Sequence, residues 1–345
     1  MKSGVYLIIG ATDMVGAHLA CVLLKEGCTV RATYCKGDDI NKTKHYLSFY
    51  SDDYVNIFNE IRWVEACPMD YDSMVEAASG VDVVYVCKYP VFSVNRKFQD
   101  YIDGVKNLIS ALREAEVGYL YYISSLDTLG DEPEFKEITE QSQRNPKGNY
   151  PKISQLNYFC EMEVQRALNE DLKGCIVNTG VVLGPGDWRY DSSRLFSLAA
   201  TYGFYTKGVT GFVGVYDVVK CLMTLSKKEI TGEKFILVSQ NLSYYQVIKL
   251  ISQNFGTEKN LKYAGKFRMF LYKGCYIIKS LLTGRRPILD STYFERIEAF
   301  KLYSNTKSLG MLIIDYEDIS DVIKKICDIY LKENTPKIKK FYKFT

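Results

Sequence analysis

Apolar runs of strand length alternate with helix-spaced apolar positions through the first half of this 345-residue chain. Val5–Ile9, Thr29–Tyr34, Arg62–Glu65 and residues 81–87, 119–123 and 175–178 have the length and the β-branched and aromatic content of buried strands. Between them, residues 73–78, 98–116 and 154–168 read as helices; in the second, Ile102, Val105, Leu108, Ile109 and Leu112 fall at helical spacing. Residues 41–59, polar and aromatic, read as a helical insertion. Such alternation predicts a parallel sheet covered on both faces. The rhythm loosens after residue 178. Gly184-Pro185-Gly186 is a turn, 212–225 and 234–238 read as a return to the main sheet, and 242–255 is a helix with a cap at Ser243. The rest is mostly helical.

The first strand ends in a turn with its own chemistry. The run Val5-Tyr6-Leu7-Ile8-Ile9 stops at Gly10, Gly16 follows six residues later, and an amphipathic helix continues through Leu24. A strand, a glycine turn and a helix N-terminus in that order form the anion site of dinucleotide-binding folds, where backbone N–H groups hold a diphosphate. Gly10, Thr12, Asp13, Met14, Val15 and Gly16 are therefore the candidate cofactor turn, joined by Cys87 and Lys88 at the end of the fourth strand. Asp13 stands where the spacing calls for a middle glycine. Its side chain fills space that the diphosphate would use, and it is also a good helix cap. A carboxylate about 4 Å from a phosphate costs roughly 4 kcal/mol per charge pair at an effective dielectric near 20.

Composition narrows the class without naming it. The apolar fraction of 47%, the charged fraction of 25% and a net charge of +3 describe an ordinary globular protein and give no case for nucleic acid as a partner. The ten cysteines show no C-x-x-C pair or zinc-like spacing, and the two histidines, His18 and His45, read as packing residues, so no metal is expected. Reduced thiols, no evident secretion signal and no apolar run of roughly 18 residues predict a cytoplasmic protein. Residues 266–286 mix Phe267, Phe270, Leu271 and Ile278 with Lys266, Arg268, Lys273 and Lys279. That pattern suits a helix packed over a pocket, and also a helix lying on an anionic membrane. Residues 335–345 carry four lysines and are expected to fray.

Several stretches together resemble one family along almost the whole chain. They are the opening turn, Val30-Arg31-Ala32-Thr33, Gly80-Val81-Asp82-Val83-Val84, Tyr122-Ile123-Ser124-Ser125, Glu161-Met162-Glu163-Val164, Val181-Val182-Leu183-Gly184-Pro185-Gly186, Phe212-Val213-Gly214-Val215-Tyr216-Asp217-Val218 and Phe235-Ile236-Leu237-Val238. In their order and spacing the chain resembles an extended short-chain dehydrogenase/reductase of the NAD-dependent epimerase/dehydratase type, and most closely the dihydroflavonol reductase and 3β-hydroxysteroid dehydrogenase subgroup. The resemblance implies an α/β fold with a Rossmann-type doubly wound parallel sheet and a smaller, mostly helical C-terminal substrate domain. Residues 1–185 with about 208–240 would form the first unit, and about 186–207 with 241–334 the second. It further implies NAD(P), a small-molecule ligand in the crevice between the units, and a homodimer through the helices at 98–116 and 154–168. Lys36 at the end of the second strand, where no acid stands in Tyr34-Cys35-Lys36, leans towards NADP.

The same resemblance assigns hydride transfer to a serine, a tyrosine and a lysine, the lysine lowering the tyrosine's pKa from about 10. Ser125 matches the serine, but Tyr-x-x-x-Lys is absent. One register puts Tyr150 at the tyrosine and Ser154 at the lysine. The other, anchored by Glu161-Met162-Glu163-Val164 and gapless from Ser125, puts Ile153 and Asn157 there. Lys152 cannot substitute, since two residues along a helix turn a side chain through about 200°. Cys67, Lys88-Tyr89, Tyr101 and Thr179 replace further family residues around the crevice. Three readings follow: a member without the standard hydride chemistry; an active NAD(P)-dependent oxidoreductase using Ser125, Tyr150 and Lys88 as the missing cation; or a membrane-surface or protein-interaction module using 266–286.

Overall fold

The computed structural model describes residues 4–88, 97–133, 135–189, 192–201, 203–257, 261–265 and 298–341, with side chains as far as residue 334. The sequence features at Tyr89 and at 266–286 lie outside the described residues. No helix among the described residues is long and apolar enough to cross a membrane.

Seven strands form the central sheet: β1 (Val5–Ile9), β2 (Thr29–Tyr34), β3 (Arg62–Glu65), β4 (Val83–Val86), β5 (Tyr119–Ser125), β7 (Gly174–Thr179) and β11 (Glu233–Leu237); the two-residue strands β6 (Glu137–Ile138) and β9 (Phe204–Tyr205) lie outside it. Their spatial order is β11-β7-β5-β4-β1-β2-β3, and every pairing is parallel. The order reverses beside β1, so β1 and β4 flank the topological switch at which such sheets open a crevice. This is the parallel sheet expected from the alternating pattern, in the Rossmann-like α/β fold that the resemblance implies.

The inner strands β1, β4, β5 and β7 are buried on both faces because helices cover both, while the edge strand β3 is partly exposed. Tyr6 and Ile8 of β1 point into one core with Leu19 and Leu23 of α1 (Met14–Lys25) and Val218 and Leu222 of α8 (Val215–Lys227). Leu7 and Ile9 point into the other, with Met74 of α4 (Tyr71–Ala78), Val105 and Leu108 of α5 (Phe98–Glu114) and Leu156 and Val164 of α6 (Lys152–Glu170). Each such aliphatic side chain contributes about 1.5–3 kcal/mol by leaving water. The first core is aromatic: Tyr85 and Tyr121, on neighbouring strands, stack at 5.5 Å, and the Tyr121 hydroxyl donates to the Leu225 carbonyl. The polar insertion after β2 forms two short helices, α2 (Asn41–Leu47) and α3 (Tyr54–Glu60).

A separate three-stranded sheet and an apolar cluster of its own follow in the second half of the chain. Residues 209–214 form β10, the middle strand of a separate sheet between β8 (Val181–Leu183) and β12 (Gln240–Ser243), so the main sheet is completed by β11 alone and not by the stretch after 212. Helix α8 returns the chain to pack on α1. Leu195 and Phe196 of α7 (Arg194–Thr201), Val247 and Ile251 of α9 (Tyr244–Phe255), and Ile319 and Ile323 of the C-terminal helix Ile319–Phe341 share the second unit's core. The cap at Ser243 is a capping box with Gln246. The backbone of the lysine-rich end continues the C-terminal helix as far as Phe341, and residues 342–345 lie outside the described residues.

Helix α1 holds one buried titratable group in an apolar setting. The His18 ring lies 3.4 Å from that of Tyr50 and 4.8 Å from that of Tyr216, and neither ring nitrogen has a hydrogen-bond partner. Burial pushes its pKa from 6.5 down to about 3. Between those values the unfolded chain binds the proton and the folded chain does not, so stability is full above the unfolded pKa and falls as the solution is acidified towards the folded one. We expect His18→Phe, compared with wild type by urea unfolding between about pH 6 and about pH 4, to lose a slope approaching roughly 1.4 kcal/mol per pH unit. Parallel pH profiles would show that His18 is not buried neutral.

Candidate functional site

The first turn is built by close approach. Gly10 adopts φ +90°, and a Cβ there would meet the Lys88 backbone nitrogen and Cβ at 2.9 Å. A Cβ on Gly16 would lie 2.3 Å from the Gly10 carbonyl oxygen. Only glycine fits either position, and the pair fixes α1 against the end of β1. The Asp13 amide donates to the Gly10 carbonyl at 3.1 Å, closing the turn, and the Thr43 hydroxyl donates to the Ala11 carbonyl at 2.8 Å. Thr12 sits in the turn, partly exposed. Met14 and Val15 are buried, and the Met14 sulfur lies under the 184–186 turn against Ser193.

Asp13 caps α1, with Oδ1 accepting from the Val15 amide at 3.4 Å. Its other oxygen, Oδ2, accepts from Lys88 Nζ at 2.6 Å, and the Asp13 side chain is 14% exposed. Two departures from the family pattern, 75 residues apart, are thus one ion pair. Cys87 lies beneath it; its amide donates to the Ile9 carbonyl, and burial first, then the Asp13 charge, pushes its thiol well above the usual range. Lys36 is exposed in the turn after β2, where Asp38 turns its carboxylate back to the Cys35 amide at 2.9 Å. An acid therefore does stand at the end of β2, three residues past Cys35, but it holds its own loop.

The reaction end of the crevice is built on β5 and α6. Ser125 ends β5; its hydroxyl accepts from the Asp127 amide at 3.4 Å, and its carbonyl accepts from Thr128 and Asn178. Ile153 and Asn157 fall one turn apart on α6, and the Asn157 amide donates to Asp127 Oδ1 at 3.3 Å. Buried Ser154 donates to the Asp127 carbonyl at 2.7 Å and accepts from the Arg144 guanidinium.

Tyr150 stands before Pro151 and outside the helix. Its hydroxyl donates to Asp131 Oδ2 at 2.7 Å, and Arg144 lies over its ring at 3.8 Å and over that of Tyr158 at 4.7 Å. Burial and the Asp131 carboxylate raise the Tyr150 pKa, against the Asn145 amide and Arg144. Burial alone would raise Asp131 too, but hydrogen bonds from Lys301 and Tyr150 hold it below the usual carboxylate range. Ser125, Tyr150 and Lys88 are thus each engaged elsewhere. Lys88, the cation expected beside the tyrosine, is spent on Asp13.

A second buried node lies directly behind Ser125. Glu161 Oε2 accepts from Ser124, Thr128 and Asn178, and Oε1 accepts from Lys234 Nζ at 2.5 Å. Four separate elements and a short turn are tied to one carboxylate. Arg144, Asp127, Asp131 and Lys234 carry no motif in the sequence, because their partners lie up to 170 residues away. The remaining replacements pack: Tyr101 is buried and accepts from the Cys160 thiol, the Cys67 amide donates to Ser73, and Thr179 donates to the Ser124 carbonyl.

A seven-stranded parallel sheet, a glycine turn entering α1, and a crevice lined by the ends of β1, β4 and β5 define a Rossmann-type α/β protein. Residues 6–202 match the model of the NAD dependent epimerase/dehydratase family, and the chain belongs to that family. It is 24% identical over 256 residues to Sterol demethylase protein B of Methylococcus capsulatus, covering 72% of this chain and 73% of that one. A nucleoside-diphosphate-sugar epimerase from Pseudomonas aeruginosa superposes with a TM-score of 0.73 at 15% identity, covering 97% of this chain and 99% of its own. A dTDP-glucose 4,6-dehydratase from Bacillus anthracis, solved with NAD, gives 0.72 at 13%, covering 96% and 97%.

Removing Lys234 should strand the Glu161 charge. Lys234→Met is expected to cost roughly 3 kcal/mol in urea unfolding, because an uncompensated buried charge is left. Adding Glu161→Gln should recover most of the loss. A Lys234→Met protein as stable as wild type would show that the pair is solvated.

Proposed function

We propose that this chain is a ligand-binding member of the epimerase/dehydratase family that has given up the family's hydride transfer. One observation carries this reading: Ile153 and Asn157 occupy the acid/base positions of the gapless register, while the nearby Tyr150 donates its proton to Asp131. Proton transfer by tyrosine at neutral pH needs a phenolate favoured by a neighbouring cation. Here burial and the Asp131 carboxylate favour the neutral phenol and outweigh the Arg144 guanidinium over its ring, and Lys88 lies on Asp13. A rearranged oxidoreductase would need Lys88 or another cation at the Tyr150 hydroxyl.

The ligand in this reading is a small molecule held in the crevice between the sheet's C-terminal edge and the smaller unit. The parent site is one for a nicotinamide dinucleotide, as in the NAD-containing Bacillus anthracis dehydratase. The residues as they stand do not fit its diphosphate, because the Asp13 carboxylate holds the Val15 amide and the Lys88 ammonium. Were the site opened, exposed Lys36 favours NADP over NAD.

The outer faces of α5 and α6 support a homodimer. Phe98, Phe159 and Met162 are exposed there, Phe98 packs edge-on to Phe159 at 6.0 Å, and charged pairs such as Lys106–Glu163 border them.

Two measurements test these readings. The purified protein, mixed with NADH or NADPH and a panel of nucleotide sugars and small ketones, should oxidise no cofactor above the buffer rate. Turnover that disappears in Ser125→Ala or Tyr150→Phe would overturn the first proposal. The wild type should run as a dimer in sedimentation velocity, and Phe159→Glu with Met162→Glu as a folded monomer; a monomeric wild type would end the second.

A further inference from the structure

We infer that the Asp13–Lys88 pair is an internal occupant of the phosphate position, and so determines which ligands the crevice accepts. The inference deepens the reading above and rests on its assignment of the crevice as the ligand site. A diphosphate in a fold of this kind is held by amides at the start of the helix after β1 and is favoured there by the helix dipole. In this chain one of those amides, on Val15, already faces a carboxylate oxygen. The carboxylate belongs to Asp13, is largely buried, and is neutralised by the ammonium of Lys88 at 2.6 Å. The Lys88 backbone packs directly on Gly10, so the ammonium reaches Asp13 across the mouth of the turn.

The two substitutions oppose each other. Lys88 alone would add a cation to a phosphate site and strengthen it. Asp13 alone would add an anion and weaken it. Together they supply both halves of the interaction from within the chain. The turn is then satisfied with no ligand, and an incoming diphosphate must displace a carboxylate from the same donors while meeting its charge. The pair leaves the crevice to ligands that carry no diphosphate over the start of α1.

The test is calorimetric titration of the full-length protein with NADH, NADPH and inorganic pyrophosphate. Asp13→Gly restores the space, removes the charge and frees Lys88, so it should bind NADH at least about tenfold more tightly than wild type. Asp13→Gly combined with Lys88→Met should fall between the two, and Lys88→Met alone should bind less tightly than wild type. Asp13→Asn keeps a side chain at the cap and loses only the charge; it guards against a folding defect in the glycine variant and should gain affinity for pyrophosphate. Wild type binding NADH as tightly as Asp13→Gly, or no gain in either Asp13 variant with thermal unfolding unchanged, would overturn the inference. Tight binding by wild type without turnover would leave the reading of the reaction end intact. Turnover confined to Asp13→Gly would overturn that reading and uphold the role of the ion pair.

Discussion

The close contact between Gly16 and the Gly10 carbonyl sets the geometry of everything at the crevice. It holds the first turn of α1 against the end of β1 with no room for a side chain at either glycine. Helix α1 must then begin at one place, with its first amides facing the gap between β1 and β4. Lys88 enters that gap from β4, and Met14 leaves it to support the 184–186 turn of the smaller unit. The turn is thus a mechanical joint as well as an anion site. The joint needs both glycines whether or not an anion is held there, and the position between them, occupied by Asp13, does not bear on it.

The fold was legible because it is written in local patterns. Two-sided apolar strands and helix-spaced apolar stripes recur often enough to give the parallel sheet, and β2 and β3 fall where the pattern puts them. The stretch after 212 misled because β10 has the apolar content of a central strand while pairing in the smaller sheet, and residue composition does not say which sheet a strand joins. At the lysine-rich end, like charges disfavour an isolated helix, and the helix that packs through Ile319, Ile323 and Tyr330 carries its backbone on to Phe341.

The site was legible only where two residues lie in one motif. Asp13 was recognisable as an intruder in the glycine turn. Its partner was named too, but for another task, because nothing in the sequence links position 13 to position 88. Tyr150 was a candidate by spacing. Its environment depends on Asp131, Arg144 and Lys301, which reach it from a loop before α6 and from a strand-like segment near the end of the chain. Distances of that kind are set by tertiary packing, and a single sequence does not record them.

Three charged or titratable groups around the crevice are closed by partners from within the chain. Asp13 is closed by Lys88, Tyr150 by Asp131 and Glu161 by Lys234, whereas Arg144 Nε and Asn178 Oδ1 are buried without a hydrogen-bond partner. A reaction site keeps some donors and acceptors aimed at an absent reactant, which leaves strain or unpaired charge when the site is empty. On the proposed reading, internal partners in such places stabilise the folded chain and weaken the electrostatic reason to bind a charged cofactor. The two changes are linked by the same atoms: the Lys88 ammonium cannot both neutralise Asp13 and serve a phosphate or a phenolate. On the proposed reading, returning tyrosine and lysine to positions 153 and 157 would not by itself restore hydride transfer, because Asp13, already paired with Lys88, stands at the diphosphate's place.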